Sequence, residues 1–219
     1  GLGGIRLGFE KAFKYAGLET ECVMTSEIKP YAVKTLKHNF GHEFLAGDIF
    51  EISNEFIPEF DFLLGGFPCQ SFSISAQNPP RLGYKDDRGK LFFEMVKVLK
   101  EKQPRFFIGE NVKGLLSANK GKAFPMIVKE FEKAGYHIHY KLLNASEFGV
   151  PQKRERVFIV GFRDFDDYFN FPGWEQDGHA VLIDFLEKNK LSAEYIGYGF
   201  KELALIIRPL LYKSGEFKL

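Results

Sequence analysis

The sequence predicts an α/β domain built on a doubly wound, mostly parallel sheet. Short apolar runs of strand length alternate with helix-length segments, and glycines or prolines punctuate the joins. Such a sheet keeps its ligand crevice at the carboxyl ends of its strands, which says where to look for chemistry. Residues 5–16 put Ile5, Phe9, Ala12, Phe13 and Ala16 on one helical face, with Gly17 as a stop. A short strand around Glu21–Thr25 leads to Ser26-Glu27, and a second helix runs from about Tyr31 to His38. Asp48-Ile49 follows a short apolar step, and Phe60–Leu64 reads as a buried strand broken by Gly65-Gly66. Lys90–Lys102 is helical through Leu91, Met95, Val98 and Leu99, and ends before Pro104. Arg105–Gly109 is a strand, Ala123–Ala134 a helix closed by Gly135, and Ile138–Leu143 and Val157–Phe162 two more strands. This sheet domain is expected to span residues 1–163. Residues 164–178, rich in Asp, aromatics, Pro and Gly, read as a linker, and Val181–Asn189 as one further helix.

Composition narrows the class. The 219 residues are 45% hydrophobic and 27% charged, and 30 basic against 29 acidic side chains leave a net charge of +1. An anionic partner would therefore meet a local patch rather than a uniformly basic coat. Two cysteines, Cys22 and Cys69, are too few for a disulfide framework or a multi-cysteine zinc site. No uncharged apolar stretch approaches the roughly 18 residues of a membrane span. A reducing, cytoplasmic setting is expected. The opening Gly1-Leu2-Gly3-Gly4-Ile5-Arg6 lacks signal-peptide order and an initiating Met, so the chain is expected to begin inside a larger protein.

Three segments carry chemistry. Gly1-x-Gly3-Gly4-x-x-x-Gly8 runs into a helix, as a loop must if its backbone is to approach a nucleotide-like ligand. Glu27, at the end of the next strand, suits a ribose hydroxyl, and Asp48 an adenine amino group. The same residues also suit a glycine turn beside two solvated carboxylates. Gly65-Gly66-Phe67-Pro68-Cys69-Gln70-Ser71-Phe72-Ser73 sets a cysteine in a Pro-constrained loop directly past a strand, where a thiolate nucleophile would stand. Cys22, inside a strand, reads instead as a small buried hydrophobe. The strand Phe106–Gly109 delivers Glu110-Asn111-Val112 to the same sheet edge, where a carboxyl group can share a proton with a ring nitrogen. In extended chain, Gln152, Arg154 and Arg156 share one face, facing an anion or carboxylate or forming a surface salt-bridge cluster.

Pro68-Cys69-Gln70, Glu110-Asn111-Val112 and Gln152-x-Arg154-x-Arg156 resemble, in order and approximate spacing, the motifs of the cytosine-C5 DNA methyltransferases of bacterial restriction–modification type. Gly1–Gly8, Ser26-Glu27, Gly47-Asp48-Ile49 and Asp87-Arg88-Gly89-x-Leu91-Phe92 resemble that family's lesser motifs, so the likeness covers about residues 1–163. The resemblance implies a Rossmann-like fold and methyl transfer from S-adenosylmethionine, leaving S-adenosylhomocysteine, to carbon 5 of a flipped-out cytosine in double-stranded DNA, with no metal. Cys69 would add to carbon 6, Glu110 would hold a proton at ring nitrogen 3, Arg156 would hold Glu110 or the base oxygen, and Arg154 would position the base and the loop. Gly1, Gly3 and Gly4 would lie near the methionine portion, Glu27 on the ribose and Asp48 on the adenine. Ile28 would flank the adenine, Ile49 would also belong to the cofactor site, and Gly66, Pro68 and Leu91 would close the pocket.

The stretch Ser71–Gly89 is locally basic and suited to closing over a displaced nucleotide. Gln70, Ser73, Ser75, Arg81, Lys85, Arg88 and Gln152 are the expected DNA contacts.

Two departures set further expectations. The family's first motif begins with a strand and an Asp-Leu-Phe-x-Gly lead-in, and this chain starts after it. No Arg-Glu-x-x-Arg-Leu-Gln-like or Gly-Asn-x-Val-like segment follows. Residues 179–219 would then be the start of a target-recognition or partner-contacting region, completed by further sequence or a second polypeptide. The tRNA-cytosine branch of the family and a catalytically silent nucleic-acid-binding homologue are the competing readings.

Overall fold

The computed structural model describes residues 1–15, 17–41, 45–68, 87–148, 151–164 and 171, with the backbone alone at Tyr15 and at 87–90. The expected helix 181–189, the linker and the region 179–219 lie outside the described residues. Two compact units emerge: 1–2, 22–141 and 156–164 form the first, and 3–21, 142–155 and 171 the second.

In the first unit, α2 (Pro30–Phe40) starts on a proline, whose missing N–H costs nothing in the first helical turn, and buries Ala32 and Leu36. It lies between β1 (Thr25–Ser26) and β2 (Leu45–Ala46), which pair in parallel. β1 is shorter than the expected Glu21–Thr25 because only Thr25 and Ser26 find partners, Leu45 and Ala46. Cys22 therefore sits ahead of the strand, half-buried, with its Sγ 3.3 Å from Thr25 Oγ1.

The larger sheet contains β3 (Phe62–Gly66), β4 (Phe106–Val112), β5 (His137–Asn144) and β6 (Glu155–Phe162), in the order β3-β4-β6-β5. β3 and β4 run parallel, joined by a connection that includes α3 (Asp87–Lys102), while β4 and β6 run antiparallel, so the sheet is mixed. Phe106 to Gly109 are all buried, as befits a strand covered on both faces. The glycines Gly65 and Gly66 continue β3 rather than break it.

Phenylalanine fills the core. The ring of Phe131 on α4 (Ala123–Lys133) lies 5.3 Å from that of Phe92 on α3 and 4.6 Å from that of Phe107 on β4, centroid to centroid, locking both helices to the sheet. Phe107 also lies across the strand from Gly161, where a Cβ would stand 2.1 Å from its ring. Only glycine fits there. Gly135, at φ +95, reverses the chain after α4, and the buried Tyr136 hydroxyl donates to the Pro104 carbonyl at 2.8 Å. Among the described residues no helix is long and apolar enough to cross a membrane.

The second unit holds α1 (Gly4–Tyr15), which buries Phe9, Ala12 and Phe13, and Gly17, at φ +74, ends it. Leu18 N–H donates back to the Phe13 carbonyl at 3.0 Å, the closing bond such a cap requires.

Candidate active site

Two groups of site residues assemble in the first unit. One forms where β3 and β4 end together. Their parallel register sets Gly66 beside Glu110, and the chain continues from Gly66 through Phe67 and Pro68 toward Cys69, itself outside the described residues. A Cβ at position 66 would stand 3.6 Å from Glu110 Oε2, so glycine leaves the space beside that oxygen open. Glu110 lies opposite Phe158 on β6, and Arg156, two residues from Phe158 on the same strand face, is its diagonal neighbour. The guanidinium Nε of Arg156 donates to Glu110 Oε1 at 2.7 Å, with the two side chains 21% and 24% exposed. A carboxylate oriented by a guanidinium beside an open glycine face is equipped to meet a polar ring edge.

Asn111, the next residue, belongs to the Glu110-Asn111-Val112 motif, which by itself gives it no role. At 3% exposed it is the buried polar residue of the core among the described residues. Its Nδ2 donates to the Phe67 carbonyl at 2.8 Å, and its Oδ1 accepts from the Val112 amide at 2.8 Å. The signal that could have found it is an amide one residue past Glu110 on a strand whose other residues are apolar, since a buried amide must have partners for both of its ends.

The other group forms where β1 and β2 end. Ser26 Oγ donates to the Gly47 carbonyl at 2.8 Å, tying the two strand ends together just before Glu27 and Asp48. Glu27 accepts from the Gly1 nitrogen through Oε2 and from the amides of Ile28 and Lys29 through Oε1, at 3.0 and 2.9 Å. Burial pushes its carboxyl up, but the hydrogen bonds it accepts, those from the Ile28 and Lys29 amides among them, hold it below the ordinary glutamate range. Asp48 accepts the Phe50 amide at 3.1 Å, capping the 3-10 turn Ile49–Glu51. Ile28 is 62% exposed and Phe50 45% exposed, so each carboxylate has a bare apolar side chain close by in sequence. Phe50 was not among the expected cofactor contacts.

Of the remaining expected residues, Leu91 on α3, Pro68 and Ile49 are half-buried in the first unit. Gly3 and Gly4 open α1 in the second unit, with Gly3 at φ +87. Arg154 and Gln152 are exposed in that unit, and the Arg154 backbone is held by Asn144 Oδ1 at 3.0 Å and by the Ala145 amide at 3.0 Å. Gln70, Ser73, Ser75, Arg81 and Lys85 lie outside the described residues, and Arg88 is described only as backbone of α3.

Comparison with known proteins supplies the family. The family model for C-5 cytosine-specific DNA methylase matches residues 1–195. The type II methyltransferase M.NgoBV of Neisseria gonorrhoeae is 45% identical over 168 residues, which cover 74% of this chain and 39% of that protein. M.BanI of Aneurinibacillus aneurinilyticus is 50% identical over 161 residues, covering 74% and 36%. The chain thus spans about two fifths of the length of these curated relatives. Among solved structures, the Dnmt2 methyltransferase of S. pombe shares the fold at a TM-score of 0.61 and 20% identity, over 89% of this chain and 55% of that one. An E. coli prophage protein described as a DNA modification methyltransferase aligns at a TM-score of 0.64 and 28% identity, over 85% and 52%. With its Rossmann-like α/β architecture and a family match over residues 1–195, the chain belongs to the C-5 cytosine-specific DNA methylases.

Proposed function

We propose that this chain is the catalytic and cofactor-binding part of a DNA (cytosine-5-)-methyltransferase, the modification enzyme of a bacterial restriction–modification system. The observation that carries the reading is the register of Gly66 with Glu110, by which Phe67 and Pro68, the last described residues before Cys69, follow a strand end beside a carboxylate paired with Arg156. Family membership and the type II methyltransferases among the relatives support the DNA substrate.

S-adenosylmethionine, when bound, supplies an electrophilic methyl group. The strand ends of β1 and β2 suit its adenosine: an ionised Glu27 can accept from ribose hydroxyls, Asp48 from the adenine amino group, and exposed Ile28 and Phe50 offer apolar cover for the ring. The target cytosine must leave the duplex stack, at about a few kcal/mol, before its ring can meet Cys69. The Cys69 thiolate then forms a bond to carbon 6. The carbon 5–carbon 6 π pair shifts through the ring toward nitrogen 3, which takes a proton held by the Glu110 carboxyl group. Carbon 5, now electron-rich, would take the methyl group as the methyl–sulfur bond breaks, its pair staying on the sulfur of S-adenosylhomocysteine. Loss of the carbon-5 proton to a base re-forms the double bond as the Cys69–carbon 6 bond breaks, and the nitrogen-3 proton returns to Glu110. Arg156 keeps Glu110 oriented throughout.

Incubating the intact protein with cofactor labelled on the methyl group, and with either duplex DNA or tRNA, tests the reading. Label in cytosine of DNA supports it. Label in tRNA alone would assign the same chemistry to RNA, and label in neither would reject the enzyme.

A further inference from the structure

The peptide joining Phe67 to Pro68 is the last one before the chain passes to Cys69. Proline has no N–H, so the Phe67 carbonyl is the only hydrogen-bonding group of that peptide. Asn111 holds it at 2.8 Å from inside the core, and because the peptide is planar, fixing the carbonyl fixes the whole unit. The Phe67 ring, 5% exposed and packed 5.3 Å from Phe92, secures the other side of the same residue. The pyrrolidine ring then sets φ of Pro68 near −65°, leaving its ψ as the one soft torsion between the anchored peptide and the nitrogen of Cys69.

Asn111 is also locked from behind, since its Oδ1 takes the Val112 amide at 2.8 Å, so the Nδ2 donor is forced toward Phe67. It shares β4 with Glu110, its sequence neighbour on the opposite strand face. One strand therefore carries both the carboxylate and the anchor of the segment leading to the nucleophile.

We propose that Asn111 is a positioning residue that fixes the Phe67–Pro68 peptide and thereby the place from which Cys69 approaches the base carried by Glu110. The inference rests on the reading of Cys69 as the nucleophile, and it predicts a requirement for a donor, not merely for bulk, at position 111. In Asn111→Asp the ionised side chain turns an acceptor toward the Phe67 carbonyl, whereas its protonated form restores the donor while its second oxygen still accepts from Val112.

The test is single-turnover methyl transfer by the intact protein between pH 6 and 8.5, with S-adenosylmethionine affinity and melting temperature measured alongside. Relative to wild type at each pH, Asn111→Asp should be slowed about 100-fold at pH 8.5 and recover at least 10-fold of that at pH 6. Asn111→Leu should stay slow at every pH, and cofactor affinity should remain within 3-fold in both. The low-pH form of Asn111→Asp serves as its own folding control. A ratio to wild type that does not change with pH, or rates within 3-fold of wild type, would overturn the proposal. So would a loss of cofactor affinity parallel to the loss of rate, which would make Asn111 a general stability residue. Absence of methyl transfer in wild type would instead reject the enzyme reading.

Discussion

The two strand-end groups of the first unit are built in opposite ways. Glu110 and Arg156 stand on strands of seven and eight residues, meet across a cross-strand diagonal, and sit over a core of interlocked phenylalanines. Glu27 and Asp48 follow strands of two residues, tied to each other by a single serine hydroxyl, and are held by backbone N–H groups with bare apolar side chains beside them. A group that must meet a reacting ring within a fraction of an ångström gains from a rigid frame. A group that must accept a flexible nucleoside gains from exposed apolar surface and local hydrogen bonds. Changes at the first group should therefore act on rate, and changes at the second on cofactor affinity.

The largest expected effect is at Glu110. Glu110→Ala should lower the single-turnover rate by about 10²–10⁴-fold, the scale of a positioned acid–base group, with S-adenosylmethionine affinity unchanged by calorimetry. Equal loss of affinity would blur the contrast between the two groups. Next comes Gly161→Ala, which forces a methyl group toward the Phe107 ring and should cost about 3 kcal/mol of stability by denaturant titration. An unchanged midpoint would mean that the β4–β6 pairing is looser than its register implies.

Glu27→Ala should weaken S-adenosylmethionine by roughly 1–3 kcal/mol and leave cofactor-free DNA binding alone. The pH dependence has a definite sign. Because the folded Glu27 carboxyl is lowered from 4.5, its contribution is complete above that value and is lost only as pH falls through the lower folded one. Wild-type cofactor affinity should therefore show no Glu27-dependent decline between pH 8 and pH 5, and calorimetry across that range checks it. The smallest effect is expected for Phe50→Ala, at about 1 kcal/mol of cofactor affinity from lost apolar cover.

Much of this was legible beforehand for identifiable reasons. Helical periodicity and the stop at Gly17 bound α1, Gly135 bounds α4, and the motif order sets Glu110 beside Arg156 in one site, where their side chains meet at 2.7 Å. The parallel pairings β1–β2 and β3–β4 match the expected α/β pattern, whereas the antiparallel direction of β6 was not legible, because apolar runs carry no sign. The link from β5 to β6, residues 145–154, has only the 3-10 turn Ala145–Phe148 in its described part, and a parallel crossover of a dozen or more residues would not fit it. The extent of β1 depended on a two-residue partner that has no pattern of its own. Asn111 was read as part of a motif, but its task follows from a carbonyl 44 positions earlier in the chain, a relation that no local spacing encodes.

The central claim is that Cys69 attacks the base. DNA containing 5-fluorocytosine at the target blocks loss of the carbon-5 substituent, so the adduct cannot resolve. The intact wild-type protein, given S-adenosylmethionine, should form a covalent complex with this DNA that survives a denaturing gel, and Cys69→Ser should form none while keeping cofactor affinity within a few-fold. An adduct that persists in Cys69→Ser, or methyl transfer by that variant at the wild-type rate, would contradict the account.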